Sequence, residues 1–358
     1  MRVAVDVSPL SHVRTGVGTF LLGMIRGLLE NDVEVVAFTP ASVRYRRQIE
    51  QALGGMDVQK RLPVIPLAHR WRTLWSRLQW PPAERWLGDF DILHFSDWMY
   101  PPQRAGVRAT TVHDLVPLHH PEWTHGRTVR MHTAKYRHAA RRADPIVCIS
   151  EYTARDVQET LGVEAERTRV AYPAPADVFR ADGEPAQLGR PYVLTVATLE
   201  PRKNLETLLD AHESLAGDVA LAIVGAAGWG PQPRLDRPGV IRLGYVDDEH
   251  LARLYRGAVA FAYPSRFEGF GIPLLEAMAS GTPVVASSHP SLDEAAGDAA
   301  LRADADSPEA WTAAIHEAFA RRASLVGLGR EHAAHFTTPA LGAAVVRAYE
   351  HALAKIPA

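Results

Sequence analysis

The stretch from Pro264 to Val285, PSRFEGFGIPLLEAMASGTPVV, constrains the fold of this chain more than any other segment. It follows the short apolar run 258–263, which ends at a proline and predicts a buried parallel strand. Gly269 and Gly271 come next, and their conformational freedom allows the backbone to turn tightly. The segment therefore predicts a strand followed by a glycine turn.

A helix is predicted behind this turn, and two carboxylates flank the turn. Pro273 fits only in the first turn of a helix, so the helix begins beside Gly271 and carries Glu276 near its start. Unpaired N–H groups and the positive end of the dipole make such a start a site for phosphate. Glu268 and Glu276 would repel a phosphate unless they face sugar hydroxyls, which indicates a nucleotide sugar. Each glutamate taken singly also has a purely structural interpretation. Glu276 would only interact favourably with the helix dipole, and Glu268 would be a solvated acid in a loop.

The same stretch resembles the E-x7-E signature of the retaining glycosyltransferases of family 4, in particular bacterial mannosyl- and rhamnosyltransferase-like members. The resemblance implies the GT-B fold, an α/β architecture of two Rossmann-like, doubly wound parallel-sheet domains that face each other across a cleft. It also implies that Glu276 holds the ribose hydroxyls of the donor and that Glu268 lies against the transferred sugar. The backbone amides of Gly269, Phe270 and Gly271 would contact the sugar and the diphosphate.

The length of the chain favours two domains, because 358 residues exceed what one core usually supports. We expect an N-terminal Rossmann-like acceptor domain over residues 1–178, completed by a crossing helix at about 338–358, and a nucleotide-sugar donor domain over 186–337. The formal net charge of −2 provides no electrostatic basis for binding nucleic acid, so we expect no nucleic-acid partner.

The N-terminus shows no export signal. The chain begins MRVAVDVSPL, without a basic start followed by an apolar leader, and no apolar run is long enough to span a membrane. Its one cysteine, Cys148, lies in an apolar run and cannot form an intramolecular disulfide. We therefore expect a cytoplasmic protein, with the inner face of the membrane as the alternative location.

A second glycine turn is predicted near the N-terminus. Gly16 and Gly18 lie between the apolar run 3–7 and an amphipathic helix over 20–29. A dinucleotide-binding turn would have a third glycine where Leu21 stands, so a dehydrogenase is disfavoured. The resemblance implies a loop over the cleft, with amides near the diphosphate or the acceptor. The alternative is a turn that only allows the helix to pack.

Polar residues mark the ends of two further predicted strands, 91–95 and the run 110–117, at the edge where open parallel sheets bind ligands. The first strand leads into Ser96, Asp97 and Trp98, and the second run contains His113. A lone histidine at a strand end is commonly structural. However, the run HDLVPL, followed by HPE, resembles the stretch in which the family's histidine contacts the donor sugar. The resemblance makes His113, together with Glu268, a candidate catalytic residue.

Two adjacent cations, Arg202 and Lys203, stand at the turn after the predicted strand 192–197. Such a pair commonly forms a solvated edge, but facing the glutamate loop it would neutralise a diphosphate. The pair matches the Arg-Lys pair that has this role in family 4. Gly225, which follows the predicted strand 219–224, would allow close approach of the nucleotide, as its counterpart does in similar enzymes.

A segment rich in tryptophan and arginine follows a predicted strand at 63–67. Its apolar residues recur at helical spacing and its arginines occupy the other faces, so the helix could pack into a core or lie on an anionic membrane surface. The apolar stripe comprises Trp71, Leu74, Trp75 and Leu78, and the arginines are Arg70, Arg72, Arg77 and Arg85.

We expect no cofactor and no metal. No cluster of Asp, His or Cys with metal-ligand spacing lies near the proposed phosphate site, and the Asp-x-Asp patterns at 89–91 and 304–306 lie elsewhere. A pyridoxal-dependent phosphorylase would need a Schiff-base lysine, and only Lys203 stands in a plausible place, where it is already required for phosphate.

Together these features predict a retaining glycosyltransferase that moves a sugar from a nucleotide diphosphate sugar to an acceptor hydroxyl, in glycan, glycolipid or polysaccharide assembly. The acceptor could be a sugar, a lipid-linked sugar or a small molecule. The alternatives are a GT-B sugar-nucleotide epimerase and a non-catalytic sugar-binding protein.

Overall fold

A computed structural model describes residues 1–12, 15–96, 99–215, 217, 219–228 and 230–356. The chain divides into two compact units. Unit 1 comprises residues 1–118, residues 126–174 and the segment that starts at Thr338, and unit 2 comprises 119–125 and 175–337. Residues 119–125 and 175–178 thus belong to unit 2, although the predicted limits place them in the first domain. The predicted domain limits, 1–178 with about 338–358 and 186–337, stay a prediction.

Unit 1 contains a parallel sheet of seven strands in the order β3-β2-β1-β4-β5-β6-β7 among the described residues. The strand order reverses between β1 and β4, which makes the ends of these two strands the switch point of the sheet. The strands are β1 Arg2–Asp6, β2 Glu34–Phe38, β3 Gln59–Arg61, β4 Ile92–Phe95, β5 Val107–Val112, β6 Ile146–Cys148 and β7 Thr168–Val170. The helices are α1 Gly16–Glu30, α2 Val43–Ala52, α3 Ala68–Leu78, α4 Glu84–Leu87, α5 Val116–His119, α6 Gly126–Arg142, α7 Glu151–Leu161 and α14 Thr338–Leu353.

Two local predictions for unit 1 are wrong. Helix α1 begins at Gly16, so Gly16 and Gly18 lie in its first turn and not in a loop before it. The predicted strand at 63–67 is absent from the described residues there: Val64 makes only an isolated bridge to Ala41, and the strand of this region is β3. Prolines at 63 and 66 explain the second error, because proline cannot donate a ladder hydrogen bond.

Helix α3 is confirmed as a helix, but its faces differ from the prediction. Trp75 is 2% exposed, whereas Leu74 and Leu78 are 53% and 64% exposed, so the predicted apolar stripe is split. Arg72, predicted to face outward, is 2% exposed. The carboxylate of buried Asp6, at the end of β1, is the main opposite charge acting on it. Arg72 Nη1 donates to the hydroxyl of buried Thr39 at 3.4 Å. The residues that Arg72 faces are therefore far away in the sequence.

Helix α14 packs on α1 through direct backbone contact. A Cβ atom at Gly342 would lie 2.1 Å from the carbonyl oxygen of Gly27, and one at Gly27 would lie 2.7 Å from the backbone nitrogen of Gly342. Further along α14, the hydroxyl of Tyr349 lies 2.7 Å from Nδ1 of buried His94 on β4. Helix α14 is therefore an integral part of unit 1.

Unit 2 contains a parallel sheet with the order β10-β9-β8-β11-β12-β13, six strands within the described ranges. Its switch point lies between β8 and β11. The strands are β8 Tyr192–Val196, β9 Ala220–Val224, β10 Val240–Gly244, β11 Ala260–Tyr263, β12 Val284–Ser287 and β13 Ala300–Ala303. The helices are α8 Leu205–Glu213, α9 Asp248–Gly257, α10 Ile272–Ala279, α11 Pro290–Ala296, α12 Pro308–Ala320 and α13 Arg322–Ala333. The predicted strand, glycine turn and helix of the glutamate stretch are confirmed as β11, the following loop and α10.

Candidate functional site

Charged side chains meet at the switch point of unit 2. The segment after β8 forms a 3-10 turn, Pro201–Lys203, that ends at Asn204 in the left-handed region with φ of 53°. The segment after β11 carries Ser265 and Glu268. Since parallel strands β8 and β11 are neighbours, their carboxyl ends bring these two loops together.

Glu268 is the centre of this cluster. One carboxylate oxygen, Oε2, accepts from Arg202 Nη1 at 2.9 Å. The other, Oε1, accepts from the Tyr263 hydroxyl at 3.0 Å, from the Ser265 hydroxyl at 2.5 Å and from the ammonium group of Lys203. Because Glu268 is buried, these donors replace the water that a solvated carboxylate would bind.

The protonation states in the cluster follow from its charges. Burial alone would raise the pKa of Glu268, but Arg202 and Lys203, with hydrogen bonds from Lys203 and Ser265, hold that pKa well below its ordinary value. Burial and the adjacent Glu268 charge raise the pKa of the Tyr263 hydroxyl, which therefore stays protonated and donates. Glu268 is thus a carboxylate and cannot act as a general acid in this arrangement.

Both cations of the cluster already form ion pairs with carboxylates. Besides Glu268, Arg202 pairs through Nε with Glu200 at 2.6 Å, and it donates to the carbonyl oxygen of Phe267 at 3.1 Å. Lys203 donates to the Tyr263 hydroxyl at 2.8 Å. An anion that bound these cations would therefore have to compete with Glu268 and Glu200.

Glu276 lies on α10 and is also buried. One of its oxygens, Oε2, accepts from the Tyr255 hydroxyl at 3.1 Å. Tyr255 is fully buried on α9, and burial together with the Glu276 charge raises the pKa of its hydroxyl, so Tyr255 stays a donor. The contact fixes the direction in which the Glu276 carboxylate points.

At two of the predicted site glycines, Gly271 and Gly225, other atoms lie too close to leave room for a side chain. Gly271, the N-cap of α10, has φ of 113°, and a Cβ atom there would lie 2.7 Å from Leu292 Cδ2. Gly225 has φ of 145°, and its Cβ would lie 1.9 Å from the carbonyl oxygen of Ala197. Gly269 is buried, and the Phe270 side chain packs against Phe336 at a ring distance of 5.7 Å. Phe270 can therefore contact a ligand only through its backbone.

A pocket of about 450 Å³ opens beside the cluster, at the carboxyl ends of β9 and β10. Gly225 belongs to its lining, and most of the other side chains there are apolar. The lining residues are Leu199, Ile223, Gly225, Ala226, Ala227, Leu235, Arg242, Leu243 and Gly244.

Two family profiles match the chain, "Glycosyltransferase Family 4" over residues 14–174 and "Glycosyl transferases group 1" over residues 190–321. O-antigen chain mannosyltransferase B of Escherichia coli is 30% identical over 350 residues, which cover 88% of this chain and 90% of that protein. The chain belongs to glycosyltransferase family 4. A phosphatidyl-myo-inositol mannosyltransferase of Mycolicibacterium smegmatis is 29% identical, with 98% of this chain and 94% of that protein covered.

Solved structures show that this glycosyltransferase has the GT-B fold. Sucrose-phosphate synthase from Thermosynechococcus elongatus superposes with a TM-score of 0.74 at 18% identity, covering 99% of this chain and 100% of that one. Anabaena HepE, solved in complex with UDP and glucose, superposes with a TM-score of 0.70 at 18% identity, covering 97% and 98%. The resemblance read from the glutamate stretch is thereby confirmed.

The remaining predicted site residues of the glycosyltransferase, His113, Gly16 and Gly18, belong to unit 1. The His113 ring packs edge-on against Phe20 at 5.2 Å. Side chains of α6 hold the loop around His113: Lys135 donates to the Thr111 carbonyl at 2.7 Å, and Tyr136 donates to the Asp114 carbonyl at 2.9 Å. The contact of His113 with a donor sugar stays a prediction. Asp97 and Trp98, which follow a predicted strand at the ligand-binding edge, are outside the described residues.

Sequence reasoning missed three side chains of the glycosyltransferase that hold the two glutamates. Tyr263 and Ser265 lie at the end of β11, where a polar residue after an apolar strand could have indicated a site. Tyr255 lies on another helix, and no local pattern links it to Glu276. Among the described residues, no group of three His, Cys, Asp or Glu side chains could hold a metal ion. The described helices also include none long and apolar enough to cross a membrane.

Replacing Arg202 by alanine is expected to weaken binding of a nucleoside diphosphate by about 10- to 100-fold and to slow turnover, because a charge-assisted bond is lost. Calorimetric titration with the nucleoside diphosphate measures the first effect. The matched control is Arg266→Ala, since exposed Arg266 pairs with Asp306 at 2.5 Å and lies outside the cluster. Unchanged affinity in Arg202→Ala would contradict the role given to Arg202.

Proposed function

We propose that this glycosyltransferase moves a sugar from a nucleotide diphosphate sugar to an acceptor hydroxyl with retention of anomeric configuration, in glycan or polysaccharide synthesis. The observation that carries the proposal is the cluster of half-buried Arg202 with buried Lys203 and Glu268 at the switch point of unit 2. Open α/β sheets bind their ligands at such switch points. We expect the donor to bind there.

The cluster suits a reaction in which the leaving group gains charge. As the bond between the sugar and the diphosphate breaks, negative charge accumulates on the diphosphate. Arg202, Lys203 and the N–H groups at the start of α10 stabilise this charge more in the transition state than in the ground state. Glu268 gives up part of its contact with the cations and accepts hydrogen bonds from the hydroxyls of the transferred sugar. Glu276, oriented by Tyr255, accepts from the ribose hydroxyls.

Similar proteins support the donor class. The structure of HepE was solved in complex with UDP-glucose as well as with UDP. By their names, the sequence relatives transfer mannose to an O-antigen chain or to phosphatidyl-myo-inositol. A sugar or a lipid-linked sugar is accordingly the acceptor that we propose.

The test is a transfer assay with a panel of nucleotide diphosphate sugars and an acceptor extract. We expect release of the nucleoside diphosphate that requires the acceptor, and a product whose anomeric configuration, read by NMR, equals that of the donor. An inverted product would contradict retention. Release that is independent of any acceptor would contradict transfer.

Activity is expected to survive EDTA, because Arg202, Lys203 and the start of α10 supply the positive charge that Mg²⁺ would otherwise provide. The measurement compares initial rates after dialysis against EDTA with rates after Mg²⁺ or Mn²⁺ is added back. A change of less than about twofold is expected. A strict requirement for either ion would show that the cation pair is insufficient.

One face of α3 has the composition of a membrane-contacting surface. Leu74 and Leu78 are exposed on the same helical face as Arg70 and Arg77, because these positions are spaced i, i+4, i+7 and i+8. Trp80, just beyond the helix, is 69% exposed. Exposed apolar groups flanked by arginines match what anionic lipid surfaces bind. We propose that this face contacts the membrane that carries a lipid-linked acceptor.

Sedimentation with anionic vesicles at low salt tests this face. Replacing Arg70 and Arg77 by Glu should remove most of the sedimentation and leave the melting temperature nearly unchanged, since both side chains are exposed. Arg72 is unsuitable for this test because it is buried. The control is Arg137→Glu with Arg141→Glu on α6, a helix whose described residues include no exposed large apolar side chain. Wild-type protein that stays in solution would contradict the membrane contact.

A further inference from the structure

The pocket beside the cation cluster has an irregular wall. Strand β10, at the edge of the sheet, pairs Arg242 with Ile223 and Gly244 with Val224 of β9. Leu243 therefore has no partner residue in β9, and Gly244 has φ of 67°. Such bulges at sheet edges redirect a neighbouring side chain, and they are common beside functional sites. The bulge sets the position of Arg242 at the rim of the pocket.

Arg242 contributes the charge of this pocket. Within the described part of the chain its exposed guanidinium group has no hydrogen-bond or ion-pair partner, and the other described lining residues are uncharged. Leu199, Ile223 and Leu235 supply apolar walls. A pocket with apolar walls and one set of fixed donors suits a flat heterocycle that carries hydrogen-bond acceptors on its edge.

One short segment of the chain links the pocket to the cation cluster. Leu199 lines the pocket and bridges to Ala227, and Arg202 and Lys203 lie three and four residues after it in the chain. A diphosphate held by these cations would therefore direct its nucleoside toward β9 and β10. Arg242 lies on β10, two strands away from β8, so it would meet the edge of the base that points away from the ribose.

We propose that Arg242 selects guanine as the base of the nucleotide donor, an inference that rests on the proposed function. A guanidinium group carries only donors, so it disfavours the amino groups that adenine and cytosine present on the far edge of the base. Guanine presents two adjacent acceptors, O6 and N7, that accept both N–H groups of an arginine. Uracil and thymine present a single acceptor there, O4, and form the weaker contact.

Isothermal titration of the wild-type protein with GDP, UDP, dTDP, ADP and CDP tests the proposal without any mutation. GDP is expected to bind about 10-fold or more tightly than each of the others. Tighter or equal binding of another base would overturn the guanine assignment and leave the proposed glycosyl transfer intact. If no nucleoside diphosphate binds, the guanine assignment and the proposed function both fail.

Arg242→Gln tests the residue itself. Glutamine presents one donor and one acceptor, the pattern that matches adenine, so GDP affinity should fall by about 10- to 100-fold while ADP affinity rises and UDP affinity changes little. The matched control is Arg253→Gln, an exposed arginine on α9 outside the pocket lining, which should keep the wild-type order of bases. An unchanged ratio of GDP to ADP affinity in Arg242→Gln would overturn the role of Arg242.

Discussion

Replacing Glu268 by glutamine is expected to lower kcat by about 100-fold or more while binding of the free nucleoside diphosphate is retained. The carboxylate accepts from Arg202, Tyr263, Ser265 and Lys203 in the structure, and in the reaction it is proposed to accept from the transferred sugar. Glutamine keeps the shape but lacks the charge and half of the acceptor capacity. Loss of one such electrostatic contact to a transition state commonly costs about 10²- to 10³-fold in kcat.

The sign of the effect on nucleotide affinity distinguishes this role from a simple binding role. Glu268 competes with the diphosphate for Arg202 and Lys203, so its neutralisation should leave affinity for the nucleoside diphosphate unchanged or tighter. Glu276→Ala, in contrast, should weaken that affinity because a ribose contact is lost. Steady-state kinetics and calorimetry on both variants make the comparison. Equal losses of affinity in the two variants would show that the assigned roles are wrong.

Gly342→Ala is expected to destabilise unit 1 by about 3 kcal/mol or more. The added methyl group would lie 2.1 Å from the Gly27 carbonyl oxygen, which is backbone and cannot rotate away. Helices α1 and α14 would have to separate, and the packing of buried Leu341 and Val345 on α14 would loosen with them. Thermal and denaturant unfolding, followed by circular dichroism, measure the loss.

The control for this prediction is Gly327→Ala on α13. A Cβ atom there meets nothing within 4 Å, and the position is exposed, so the change should stabilise the helix by up to about 1 kcal/mol. A Gly342→Ala protein that unfolds at the wild-type temperature would show that the two helices can move apart without cost.

The sequence predicted best what short segments determine. The glycine turn and the start of α10 follow from Gly271 and Pro273, whose backbone preferences act on their immediate neighbours. The two strand-end loops that carry Arg202 and Glu268 could also be placed, because parallel strands deliver their ends to one edge of a sheet. What the sequence could not supply is that the two loops form one ion-paired cluster.

Contacts between distant segments account for the errors. Buried Arg72 donates to the Thr39 hydroxyl and is acted on by the charge of Asp6, and helical spacing alone cannot indicate which arginine of α3 faces these two residues. The same is true of Tyr255, which reaches Glu276 from a neighbouring helix. The helical period gives the faces of α3 but not the direction of the core. Half of the predicted apolar stripe is therefore exposed.

The position of α14 in the chain has a consequence for biosynthesis. Unit 2 is complete at Thr337, before α14 has been translated, whereas unit 1 needs α14 to cover α1. The segments of unit 1 that precede residue 175 are thus synthesised before most of unit 2 but complete their packing after it, against the usual order in which domains fold during synthesis. Until then the face of α1 around Gly27 stays uncovered. We expect the nascent chain to depend on chaperones that shield apolar surface until α14 has left the ribosome.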